Sequence, residues 1–504
     1  MARRSFFYDA LLLTGANLLM RGVSMVFQVY LVGRIGAGGI GLLTLINTVG
    51  MLAAVLGAAG SRVAATCLVA EEYGFRRMAG VRRAMTACLR YALLSSALVG
   101  LLTLRLAGAA AEHWLGDMRT ASSIRVLGWT LPLTCLWGVL GGYFTATDRV
   151  GRLVAVQFAD RLMDIGVTAA LLTLWAGADV ERGCLSITGG SAVGTALSVA
   201  VLYGMYRRDS RAQPAGSAPP MGRRLLQLAL PLSVSDDLRA GLTTVEHFLI
   251  PWGLRQYGAS GSAAIASYGT IHGMVFPVLM FPSCVLSAVA DLLVPELSHR
   301  RATGNRARIC HVVRQCAHWG LIFSAAVAGV LWLIAAPLSQ ALYHSDEAGV
   351  FLRQFAPLVF LLYMDAIVDG MLTGLLQQVH SARYNTFTSI IDVVFLFVSL
   401  PRWGLGGYFW TFTITHAVNF YLSIARLLRV TDYRPDWGFV LRLALSTAAA
   451  ALAAAQLRGM YAVAGCYLLL LALLLRLTGA VDAAQLRWLA GILRRRAAGQ
   501  AAAR

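Results

Sequence analysis

Lysine is absent from this 504-residue chain, so all 43 of its basic residues are arginine. A P-loop needs its phosphate-binding lysine and Schiff-base catalysis needs a lysine amine, which excludes a Walker-type ATPase and lysine-based covalent chemistry. Charge of either sign is scarce, at 13% of residues, against 58% hydrophobic residues and a mean hydropathy of +0.66. Polar surface is too sparse to cover a water-soluble globule, and lipid must be the main solvent. The eight cysteines (67, 88, 135, 184, 284, 310, 316 and 466) fall mostly inside apolar runs, with no C-x-x-C pair and no histidine spaced to complete a zinc site. They read as small core residues. Genomic base composition is the bland explanation for arginine in place of lysine, and despite the net charge of +19 no nucleic-acid partner is expected.

Long apolar runs dominate what remains. A membrane span must be helical here, because each backbone N–H and C=O needs a partner within its own segment and these runs lack the short alternation of barrel strands. Runs of about 20 apolar residues predict helices at 8–32, 40–68, 84–106, 122–146, 153–176, 183–206, 225–252, 262–293, 309–336, 352–377, 385–401, 405–425, 437–457 and 459–477. The expected fold is an all-α polytopic membrane protein with about fourteen spans. Arg3 and Arg4 precede the first run as in a signal peptide, but Asn17 and Arg21 interrupt it, which predicts a retained first helix. Loop arginines gather on one side of the alternation, among them Arg76, Arg77, Arg82, Arg83, Arg300, Arg301, Arg306 and Arg308. The positive-inside rule then places both termini in the cytoplasm.

The Pro-, Gly- and Ser-rich stretch RRDSRAQPAGSAPPMGRR predicts a cytoplasmic linker at 207–224. It divides an N-terminal six-helix lobe (1–206) from a C-terminal one (225–428), followed by helices 13 and 14 (429–478) and a basic cytoplasmic tail (479–504), amphipathic from Val481 to Arg496. Six is even, so the lobes are parallel repeats with an axis along the membrane normal. Two echoes support this: RIGAGGIG (34–41) against QYGASGSA (256–263), and Gly142 to Asp160 against Gly374 to Asp392.

Charges inside the spans are the candidate functional groups, since each is costly against lipid. Arg21, Arg62, Arg161 and Arg239 suit phosphate, because the guanidinium fork pairs with two oxygens and stays charged. Asp160, Asp164, Asp236, Asp237, Glu246, Asp365, Asp369 and Asp392 are the candidate carboxylates, for sugar hydroxyls or for coupling to Na⁺ or H⁺. Buried ion pairs that fix helix packing are the competing reading. His247, His272 and His416 read as core histidines or proton relays. Pro231, Pro251, Pro277 and Pro282 free backbone carbonyls, and Pro277 and Pro282 are the expected hinge. Asp148-Arg149-Val150-Gly151-Arg152 looks like the loop motif of major facilitator transporters but follows the fourth run, so it predicts a tight turn.

The stretch Tyr268-Gly269-Thr270-Ile271-His272-Gly273-Met274, with Phe281-Pro282-Ser283 and Leu293-Val294-Pro295-Glu296-Leu297-Ser298, resembles the pattern of stage V sporulation protein B-like flippases. These belong to the multidrug/oligosaccharidyl-lipid/polysaccharide (MOP) flippase superfamily. The resemblance implies a MATE/MOP-like fold and export of a lipid-linked saccharide, such as one on undecaprenyl diphosphate, across a bacterial cytoplasmic membrane by alternating access. It implies further a monomer with no cofactor, coupled to Na⁺, H⁺ or membrane potential, in which helices 13 and 14 guide the lipid tail. Arg21 looks like one of the cleft arginines of lipid II flippases, whereas Pro277 stands about where those place an arginine. A multidrug or cation antiporter of the same fold is the alternative. An enzyme such as a membrane glycosyltransferase is not expected, because the outer loops are too short to hold an acceptor.

Overall fold

The computed structural model describes residues 2–177, 179–211, 221–431 and 433–480. Among these residues no strand occurs. The helices are α1 (Ala2–Ala58), α2 (Ser61–Gly74), α3 (Met78–Ala109), α4 (Ala121–Ala146), α5 (Val150–Leu171), α6 (Val180–Arg211), α7 (Gly222–Tyr257) and α8 (Gly261–Gly269). They continue with α9 (Phe276–Met280), α10 (Ser283–Ala302), α11 (Arg306–Tyr343), α12 (Asp346–Phe355), α13 (Val359–Gly374), α14 (Gln378–Thr431), α15 (Trp437–Ala454) and α16 (Met460–Leu477). The expected tail helix and the middle of the 207–224 linker lie outside the described residues.

Among the described residues, ten helical stretches are long and apolar enough to cross a membrane. Two of these, in α1 and α14, are each a pair of helices joined end to end, at Gly36 (φ 68°) and Gly404 (φ 55°). Two more long helices, α5 and α7, carry more charge along their length. Counted this way the described helices form fourteen rods, each lying under one of the fourteen apolar runs. Some rods are bent. The second breaks at Ala59 and Gly60 between α1 and α2. The eighth contains a π turn at Thr270–Val275 and a break between α9 and α10. Pro282 occupies the N-cap of α10, where a missing N–H costs nothing, and Pro357 opens a 3-10 turn between α12 and α13 in the same way.

Left-handed residues punctuate the chain twice in the same order. Arg76, Gly116 and Asp148 each end a connection between helices, and 228 residues later Gly304, His344 and Leu376 do the same. Gly177 and Gly404 follow with almost the same backbone angles. Earlier in each half the spacing is 222: Gly36 matches Gly258, and the Gly60 break matches Pro282. The difference of six is the extra length of α10 over α2. Helix ends favour this conformation because it turns the chain while the last carbonyls are still satisfied. The first sequence echo is therefore in register. The second is displaced by four residues, about one helical turn, so it pairs the right faces but the wrong residues.

The chain divides into two compact units: Met1–Phe281 with Thr386–Thr415, and Pro282–Asn385 with His416–Arg504. In the first, α2, α3, α4 and α6 enclose a core that includes Leu68, Met85, Tyr143, Phe144 and Leu202, and the start of α7 adds Met221, Leu225 and Ala229. In the second, α15 and α16 pack on α11 through Phe439, Leu443, Tyr467 and Leu471, and Tyr467 donates a hydrogen bond to the Ala325 carbonyl at 2.9 Å. The expected tight turn between α4 and α5 is present. Asp148 sits in it at φ 57°, Arg149 ion-pairs with Asp209 of α6, and Arg152 lies 3.7 Å from the same carboxylate.

Candidate functional site

In the first unit α5 crosses α1 with its charged face inward. Arg161 donates through Nε to the Ser24 hydroxyl at 3.1 Å and through Nη1 to Asp164 at 2.9 Å. Asp164 is 9% exposed and also faces the Thr168 hydroxyl. Asp160, on the same helix, accepts from Ser198 of α6 at 2.9 Å. Gly194 allows that approach, because a Cβ there would stand 3.0 Å from the Asp160 carboxylate. Ser24 lies three residues after Arg21, so both project from one side of α1. Arg21 is exposed one turn before Ser24 on α1, and the Arg161 side chain at the α1–α5 seam is 38% exposed.

Arg62 and Arg239 are placed on other helices. Arg62 is exposed on α2, its stem lying along Gly138 of α4. Arg239 and Asp236 are exposed on α7, while Asp237 is half-buried, with one carboxylate oxygen buried and without a hydrogen bond. No ion pair joins Arg62 or Arg239 to a carboxylate among the described residues.

The other end of α7 carries a denser polar cluster, all within the first unit. Glu246 lies beside Asp392 of α14, and Asp392, 6% exposed, accepts from Thr415 at 2.7 Å. Beside the pair, His247 meets the Tyr268 hydroxyl at 2.7 Å and His272 meets the Tyr408 hydroxyl at 3.1 Å. The two imidazoles lie 4.8 Å apart. Two neighbouring carboxylates repel, and a proton or small cation between them relieves that repulsion. The repeat makes this site the counterpart of the first: by the spacings above, Ser24 corresponds to Glu246 and Asp164 to Asp392. In one half a guanidinium satisfies the carboxylate of the fifth helix, and in the other a second carboxyl group faces it.

In the second unit α13 holds Asp365 and Asp369 one turn apart. Asn419 donates to Asp365 at 2.9 Å and Ser381 to Asp369 at 2.6 Å, while the other Asp365 oxygen is buried without a hydrogen bond. Among the described residues, no group of three or more His, Cys, Asp or Glu side chains is placed to hold a metal ion. Pro277 sits inside α9 and Pro282 at the break before α10, where the first compact unit gives way to the second.

The partners that sequence reasoning missed are neutral: Ser24, Ser198, Thr415, Ser381, Asn419, Tyr268 and Tyr408. Hydroxyls and amides are too frequent in spans to mark a site alone. The spacing of the repeat was the available signal for Ser24, which falls opposite Glu246 once the repeat is read in its proper register.

No protein-family model matches the chain. It is 23% identical over 420 residues to stage V sporulation protein B of Bacillus subtilis (strain 168), covering 81% of this chain and 80% of that protein. It is 20% identical over 277 residues to sporulation protein YkvU of the same organism, covering 53% and 61%. Among solved structures, the lipid II flippase MurJ in an inward closed conformation aligns with a TM-score of 0.68 at 12% identity, covering 93% of this chain and 98% of that one. An inward-facing multidrug resistance MATE family transporter of the MOP superfamily aligns with a TM-score of 0.66 at 14% identity, covering 83% and 96%. The chain is thus a multi-pass helical membrane protein, homologous to stage V sporulation protein B and built on the fold shared by the MATE transporters and the flippase MurJ.

Proposed function

We propose that this protein is a flippase for a lipid-linked, phosphate-bearing saccharide, of the undecaprenyl-diphosphate type, in a bacterial cytoplasmic membrane. Two six-helix lobes, 1–206 and 225–428, rock about a central cleft, and the helices at 429–478 accompany the lipid tail. The observation that carries the reading is the α1–α5 seam. Arg161, oriented by Ser24 and Asp164, and Arg21, one turn from Ser24, offer two guanidinium groups on one face. Two such forks match the oxygens of a diphosphate. Glu246 and Asp392 supply the coupling step, because their contact is stable with a proton or Na⁺ between them and repulsive without it. The fold of the lipid II flippase and the homology to a sporulation protein support a cell-envelope cargo.

A multidrug or cation antiporter is the second reading, favoured by the MATE fold and by the Asp365–Asp369 pair with its unpartnered buried oxygen. Reconstitution decides between them. Vesicles carrying the protein and an undecaprenyl-diphosphate-linked saccharide should move the saccharide between leaflets, and Arg21→Ala and Arg161→Ala should each slow this at least ~10-fold, about 1.4 kcal/mol in barrier. Efflux of a cationic dye driven by a proton or Na⁺ gradient, with no saccharide movement and no effect of either arginine, would instead establish the antiporter.

A further inference from the structure

The first turns of α7 dock on the end of α2 through one guanidinium. Arg224 Nη2 donates to both oxygens of Glu71, at 2.7 and 2.8 Å, and its Nη1 lies 3.7 Å from Glu72. The two acids differ sharply, since the Glu71 side chain is 42% exposed and that of Glu72 only 3%. Glu72 enters a gap left by Gly80 of α3, where any Cβ would stand 2.0 Å from its carboxylate, and its second oxygen is buried without a hydrogen bond. Among the described residues no cation other than Arg224 lies within 4 Å of Glu72. Two turns of apolar contact continue the docking. Met221, Leu225 and Ala229 form one stripe buried against the α2–α3–α4–α6 core, and the Ala229 carbonyl passes so close to Gly60 that a Cβ there would stand 2.4 Å away. Beyond Pro231 the character changes, and Val234, Asp236, Leu238 and Arg239 are exposed.

We propose that Arg224, Glu71 and Glu72 form a reversible latch that holds the start of α7 on the end of α2 in one state of the transport cycle and releases it in another. In repeat terms this contact joins the first helix of the second half to the second helix of the first half, beside the linker between the halves. A pair this exposed is weak enough to break and re-form. Glu72 gives the latch its direction, because a buried carboxylate that loses its cation is left uncompensated and draws the guanidinium back. Gly60, at φ 71°, and Pro231 are the points at which α2 and α7 can pivot.

This inference rests on the transport reading, and its test can succeed or fail separately. In a Cys67→Ser background of the full chain in lipid vesicles, nitroxide labels at Ala70→Cys and Gln227→Cys, both exposed, report the α2–α7 distance. The parent should give two distance populations. Arg224→Ala, and Glu71→Gln with Glu72→Gln, should each raise the longer-distance fraction at least threefold, while Arg224→Lys stays within twofold of the parent. A single narrow distance, unchanged in every variant, overturns the latch. In saccharide-transport vesicles both disrupting variants should slow movement at least fivefold, and movement at the parental rate overturns it equally. Two populations in a parent that moves no saccharide would leave the latch standing and remove the transport reading instead.

Discussion

Arg161 does two jobs at once, and its variants separate them. It neutralises Asp164, which is 9% exposed, and it presents a guanidinium at the α1–α5 seam. Removing one member of a buried pair costs roughly 3 to 5 kcal/mol, but Arg161 is 38% exposed, which lowers the expected loss for Arg161→Ala to about 1 to 2 kcal/mol. Combining it with Asp164→Asn should recover most of the thermal stability in detergent while leaving transport impaired. Recovery of transport together with stability would assign Arg161 to packing alone. A smaller effect belongs to the α3–α4 connection, where Arg119 donates hydrogen bonds to Asp117 and holds its carboxyl below the usual range. A lowered value in the folded state means the stabilisation is complete above about pH 4 and disappears as the pH falls through the lowered value. Asp117→Asn should therefore lose less than about 1 kcal/mol near neutral pH, since the Arg119 side chain is 55% exposed, and match the parent in strong acid.

At the scale of elements, helix approach in the first unit depends on missing side chains. A Cβ on Gly269 of α8 would stand 2.1 Å from the Ala37 carbonyl of α1, and one on Gly273 would stand 1.9 Å from Ile40. The backbones touch there, and Gln28 of α1 donates to the Gly273 carbonyl at 2.9 Å. Gly269→Ala meets backbone that cannot step aside, and should cost about 1 to 3 kcal/mol. Gly108→Ala, in open space on α3, should be neutral or slightly stabilising. Thermal melting of the two variants in one detergent checks this; equal melting points would mean that the α1–α8 contact is loose. The glycines at 269 and 273 were visible in the motif Tyr268 to Met274, but nothing in the sequence identifies the helix they approach.

At the scale of the whole molecule, the parallel repeat and the arginine distribution together predict sidedness. Single cysteines at Arg119 and at Asn305 should react with a membrane-impermeant maleimide from opposite sides, with 305 on the cytoplasmic side; labelling of both from one side would overturn the arrangement. Fourteen apolar runs, the duplication and the charged faces of α5, α7, α13 and α14 were legible from the sequence, because solvation by lipid acts on each residue through composition and helical period alone. The bends at Gly36, Gly60 and Gly404, the four-residue correction to the repeat, and the pairing of Ser24 with Arg161 and of Glu246 with Asp392 were not. Those depend on which helices meet and at what height. The sequence by itself determined that this chain crosses the membrane and where its charges lie along each helix. Only the tertiary structure decided which charges face one another, because a buried carboxylate takes whatever partner the packing of neighbouring helices brings within about 3 Å.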